Sequence, residues 1–148
     1  MSARVVLRSF GYLHGAPGQG WGEAPAEAHV VMDVRGHFRD PHDSPGLRQL
    51  TAADDQVRDA VLSTPGAAAL AERIAGVAMA YLAGRGRGPV IIAVGCAGGR
   101  HRPVIAEHAA RLLNQRGVPA AVTHRDLHRP VTGRAAMPCL AGAAQGAQ

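Results

Sequence analysis

Cys96 and Arg102 enclose Ala97-Gly98-Gly99-Arg100-His101, and Pro103 follows at once. The apolar run Val90–Val94 precedes this segment, and a helical pattern follows it. A buried strand, a glycine turn and a helix opening on proline together predict a cradle for an anion. Glycines let the backbone approach a ligand closely and adopt positive φ. N–H groups at a helix start, together with the helix dipole, favour negative charge. Arg102, Arg100 and His101 add donors for charge-assisted hydrogen bonds. The candidate ligand-binding set is therefore Cys96, Ala97, Gly98, Gly99, Arg100, His101 and Arg102. The segment has no GK[ST], so it is not a Walker A loop, and ATP hydrolysis is not expected. The C-x5-R spacing from Cys96 to Arg102 also suits a cysteine-dependent phosphatase, since a helix N-terminus lowers a thiol pKa. Against that alternative, Pro103 replaces the usual hydroxyl, and only Asp40 and Asp43 offer a general acid. A tight turn carrying solvated arginines is the structural alternative.

Two further polar clusters close apolar runs. His29–Arg35 (HVVMDVR) reads as a strand ending in Asp33-Val34-Arg35, and Val118–Thr123 as one ending in His124-Arg125-Asp126. Val5–Gly11 reads as a first strand and Gly15–Glu27 as a Gly/Pro/Ala-rich surface loop. Thr51 and Asp54 resemble a capping box before Val57 and Val61. Thr64-Pro65 reads as an N-cap before a longer helix with Leu70, Ile74, Val77 and Tyr81 on one face, ended by Gly84–Gly88. Pro103 opens a helix with Ile105, Ala109 and Leu112 inward and Gly117 as its stop. Strands alternating with helices predict an α/β fold: a small, mainly parallel sheet with helices packed on it. Ligands of such sheets bind beyond the carboxyl ends of the strands, which gathers the three polar clusters into one site.

The 148 residues suffice for one domain, read as 1–134, with 135–148 as a disordered tail. Formal charge is +5, and all 16 cationic residues other than His are Arg, whose planar fork suits phosphate and carboxylate. The partners expected are a small phosphorylated metabolite and, as the alternative, RNA held by Arg125, Arg129 and Arg134 in a basic C-terminal segment. Aromatics are only 3%, which leaves little to stack single-stranded bases. Cys96 and Cys139 make no disulfide framework. No segment has the length of a membrane span and no signal peptide is read, so a cytoplasmic protein is expected. No HExxH or CxxC occurs, and neither a metal nor a cofactor is expected. No nucleophile, base and orienting group converge, so the expectation is a sensor or adaptor without catalysis, with a homodimer and an unnamed protein partner as open options.

Five segments carry a family resemblance: SFGYLHG (Ser9–Gly15), DVRGHFRDPH (Asp33–His42), LRQLT (Leu47–Thr51), GCAGGRHRPV (Gly95–Val104) and THRDL (Thr123–Leu127). In this order they resemble the C-terminal domain of the RapZ RNase adapter family, also described as nucleotide-binding. The resemblance implies a bacterial regulatory domain that binds an amino-sugar phosphate and, in some bacteria, small RNA. It implies phosphate contacts from Gly98, Gly99, His101 and Arg102, with Asp33, Arg35 and His42 facing the sugar. Ala97 stands where the family has Thr, and Pro103 where it has Ser. The family's kinase-like N-terminal domain is not in this sequence.

Overall fold

The computed structural model describes residues 2–14, 23–36, 38 and 44–130. The elements run β1 (Val5–Gly11), β2 (Val30–Asp33), α1 (Asp55–Leu62), α2 (Ala67–Ala83), β3 (Val90–Cys96), α3 (Pro103–Gln115) and β4 (Ala120–His124). Four parallel strands form one sheet in the order β2-β3-β1-β4, with the three helices packed on it. The predicted α/β fold is thus the observed one. Every strand ends at the same pole: Asp33 pairs with Gly95, Phe10 with Gly95, and Ser9 with both Val94 and His124.

Alternation along the strands decides which side faces the helices. Val5, Leu7, Ile92, Val94 and Cys96 join the helix residues in one core, together with Val57, Ile74, Ile105 and Leu113. Val6, Arg8, Phe10, Ile91 and Ala93 point to the other face. Parallel crossovers are right-handed. The steps β2 to β3 and β3 to β4 move the same way across the sheet, so their helices share a face. The step β1 to β2 moves the opposite way and must cross the other face. Its described part does so: Glu27 pairs with Arg8, and Arg125 donates to the Glu23 carbonyl at 2.6 Å.

Element boundaries shift from the predicted ones for local reasons. β2 ends at Asp33 rather than Arg35, because the Asp33 carboxylate turns back to accept the Arg35 N–H at 3.0 Å. Asp54 does accept the Thr51 N–H at 2.7 Å, as in half a capping box, yet α1 starts only at Asp55. α2 starts at Ala67 because the chain turns at Gly66, and the Thr64 hydroxyl donates to the Ala60 carbonyl instead of capping α2. β3 continues two residues further, to Cys96, while β4 starts at Ala120 instead of Val118.

The buried stripe of α2 is Ala67, Ala71, Ile74, Ala75 and Ala78, whereas Tyr81 is 45% exposed. With so few large side chains available, helix α2 approaches its neighbours through alanines. Leu113, not Leu112, is the fully buried leucine of α3. The Val118 N–H returns to the Leu113 carbonyl at 2.9 Å and the Gly117 N–H to Asn114 at 3.0 Å, closing the helix in a Schellman motif. Among the described residues no single helix is long and apolar enough to cross a membrane.

Candidate functional site

The pole where the strands end is held together by three close approaches. A Cβ on Gly11 would lie 2.6 Å from the Gly98 carbonyl carbon and 2.7 Å from the Gly99 nitrogen. The loop after β3 therefore passes directly over the end of β1, and only a residue without a side chain permits it. Gly99 has φ +71°, and a Cβ there would meet the Asp126 Cβ at 2.9 Å. Asp126 is 0% exposed and accepts the Gly11 N–H at 2.8 Å. Arg125 donates to the same carboxylate oxygen at 2.9 Å, and Arg129 Nε lies 3.0 Å from the other. The THRDL segment thus contributes a buried carboxylate to the underside of the glycine loop, a role that sequence reasoning did not assign to Asp126.

The three basic side chains of the loop reach neighbouring loops. Arg100 donates to the carbonyls of Arg129 (2.6 Å) and Gln49 (2.8 Å). His101 Nε2 lies 3.1 Å from the Leu47 carbonyl. Arg102, only 3% exposed, donates to the carbonyls of Phe38 (2.6 Å) and Arg35 (3.5 Å). The sequence pattern had aimed these side chains at a ligand; in the structure they fasten neighbouring segments to the loop. The helix start differs too. Pro103 has no N–H, and the N–H groups of Val104 and Ile105 close three-residue turns onto the carbonyls of His101 and Arg102. The available amides belong to the loop instead: among the described residues, nothing accepts the N–H of Ala97, Gly98 or Arg100. Cys96 lies under this turn, 6% exposed, and its sulfur accepts the Gly99 N–H at 3.1 Å.

One wall comes from β1 and β2. Asp33 and Arg35 form a bidentate pair (2.9 and 2.6 Å), and the Arg35 guanidinium stacks 3.7 Å above the Tyr12 ring. Tyr12 in turn meets Phe10 edge-on, over the space left by Gly95. The Arg35 hydrogen bonds hold the Asp33 carboxyl below its ordinary 3.8, against a smaller opposing effect of burial. Burial, and then the Asp33 charge, raise the Tyr12 phenol. Since the folded-state pKa of Asp33 is the lower one, the pair contributes stability above about pH 4 that is lost as pH falls through that depressed value. Arg35→Ala is expected to raise the Asp33 midpoint in a carboxyl-carbon NMR titration. An unmoved midpoint would mean that the pair does not persist in solution.

His14 completes the ring of groups. Its neighbour Leu13 donates to the Ala97 carbonyl at 2.9 Å, so the imidazole sits beside the loop. Burial lowers its pKa, with Arg129 and Arg125 acting the same way, opposed by the Asp126 charge and by a hydrogen bond to the Gly98 backbone. The ring is neutral at pH 7 as a result. Its Nε2 is sealed from solvent and has no hydrogen-bond partner among the described residues. Arg8 Nε, Arg100 Nε and His108 Nδ1 are in the same position, but of these His14 Nε2 and Arg100 Nε lie at the pole where the strands end. The only sequence signal for His14 was its place inside SFGYLHG. Of the other predicted residues, Arg125 and Arg129 are turned to Asp126, whereas His42 and Arg134 lie outside the described residues, as do Asp40, Asp43, Cys139 and 135–148.

The family model for the RapZ C-terminal domain matches residues 3–128, a span that contains β1, the glycine loop and the HRD segment. The chain belongs to that family. Curated relatives of this RapZ C-terminal-like chain are named nucleotide-binding proteins. One from Corynebacterium jeikeium is 37% identical over 132 residues, covering 86% of this chain and 42% of the relative. One from Thermobifida fusca is 38% identical over 130 residues (85% and 41%), and one from Rubrobacter xylanophilus 40% over 132 (83% and 40%). This RapZ C-terminal-like chain therefore spans about two-fifths of the relatives it matches.

Proposed function

We propose that the domain captures a small phosphorylated metabolite at the carboxyl ends of its strands and acts as a sensor or adaptor module. The Nε2 of His14, beside a loop whose Ala97, Gly98 and Arg100 amides, like Nε2 itself, have no partner among the described residues, carries this reading. A phosphate has the oxygens that these amides need, and a hydroxyl on the ligand can pair with Nε2 in either tautomer of the ring. Its charge is matched by an Arg-rich rim and by the nearby start of α3. Asp33, 42% exposed beside Tyr12, offers an acceptor to an amine or hydroxyl on the ligand's other end. An amino-sugar phosphate and a nucleotide both present such groups. The relatives' names favour a nucleotide-like anion, and the family resemblance favours a sugar phosphate.

The test is thermal unfolding of the chain with inorganic phosphate, sugar phosphates, amino-sugar phosphates and nucleotides, with His14→Ala run beside it. A ligand that binds only the folded state raises the midpoint by about 2.7 kcal/mol worth of stability at a hundred times its Kd. Stabilisation of the parent by one phosphorylated class, lost in His14→Ala, supports the reading and names the class. No stabilisation by any member of the panel refutes it.

A further inference from the structure

Asp126 is the one fully buried carboxylate among the described residues, and anion capture as proposed gives it no direct contact to make. A negative charge beneath an anion site would be a liability unless its position were worth more than its charge costs. The geometry points to a positional use: we infer that Asp126 is a positioning residue, which sets the height of the glycine loop over the end of β1. This rests on the reading of the loop as an anion site.

The argument runs through three contacts. Asp126 Oδ2 takes the Gly11 N–H at 2.8 Å, fixing the last residue of β1. The Asp126 Cβ packs against Gly99, within 2.9 Å of where a side chain there would begin. Gly11 itself lies against Gly98 and Gly99. The carboxylate is thus one corner of a closed triangle of backbone and side chain, and the loop cannot move without changing one side of it. Its charge is compensated separately: Arg125 sits on Oδ2 and Arg129 beside Oδ1. The Arg129 side chain is 50% exposed and can turn to water if Oδ1 is replaced.

Asp126→Asn and Asp126→Glu separate place from charge. Asn keeps the reach and one oxygen for the Gly11 N–H, but removes the charge. Glu keeps the charge but adds a methylene that drives the carboxylate against Gly11 and Gly99. Phosphate affinity is read by calorimetric titration of each folded variant, with thermal midpoints confirming the fold. A binding group held to within about half an ångström loses function when displaced further. The expected result is a loss of about threefold or less for Asn and of about thirtyfold or more for Glu. The reverse order, an equal loss in both, or no loss in Glu would overturn the inference.

A parent that binds no phosphate would instead refute the anion-site reading. Positioning is then decided by amide hydrogen exchange of Gly11 and Gly99. Parent-like protection in Asn with faster exchange in Glu upholds it, and any other pattern overturns it.

Discussion

Gly11→Ala is expected to lower the stability of the domain by about 3 kcal/mol and to abolish phosphate capture, although it adds a single methyl group. The new carbon would stand 2.6 Å from the Gly98 carbonyl carbon, 2.7 Å from the Gly99 nitrogen and 2.9 Å from the Gly98 oxygen. All three are backbone atoms, so no flexible side chain can yield. Relief requires lifting the loop from β1, which breaks the Gly11–Asp126 bond and moves the Ala97, Gly98 and Arg100 amides together. Urea unfolding measures the stability change, seen as a lower midpoint at unchanged slope. Gly76→Ala is the control. It lies within α2 with nothing inside 4 Å of the added carbon, and is expected to raise stability by about 0.5–1 kcal/mol through helix propensity alone. Equal behaviour of the two variants would mean that the loop does not rest on β1.

Arg102→Ala is expected to remove phosphate-dependent stabilisation and also to lower stability in the absence of ligand by about 2–4 kcal/mol. Two effects are joined in one residue. The guanidinium is 3% exposed and holds the Phe38 and Arg35 carbonyls, so its loss leaves two half-buried acceptors without this donor and frees the segment carrying the Asp33–Arg35 wall. Arg102→Lys separates the contributions. An ammonium keeps the positive charge but cannot bridge two carbonyls with a planar fork. If Lys behaves as Ala in both phosphate titration and urea unfolding, the fork is what matters. If Lys restores phosphate binding at reduced stability, the charge serves the anion and the fork serves the fold. Parent-like stability and binding in Arg102→Ala would remove this residue from the site altogether.

These expectations show how unevenly the site was written in the chain. GCAGGRHRPV announced a loop between a buried strand and a helix, because consecutive glycines after an apolar run have few other uses. It did not announce that the arginines would turn to carbonyls at 35, 38, 49 and 129, since those partners are distant in sequence and meet the loop only when the sheet has formed. Nor could it show that Pro103 and two closed turns would leave the accessible amides in the loop instead of the helix. Tyr81 was misplaced on the buried stripe of α2 for a related reason. Periodicity marks large apolar residues, whereas close helix packing here selected the alanines between them.

The sequence by itself determined the class of the fold and gathered its polar strand ends at one pole. Apolar runs closed by polar clusters, separated by helical stretches, leave a parallel sheet as the arrangement that buries those runs. Parallel strands then place all their polar ends at one pole. The tertiary structure decided strand order and hence contact. Putting β1 between β3 and β4 sets Gly11 beside Cys96 and Ser9 beside His124, and carries Asp126 under the loop. Local sequence constrains φ, ψ and burial within a dozen residues. The Gly11–Asp126 bond spans 115 positions and follows from hydrogen-bond pairing between strands, which no single stretch of the chain encodes.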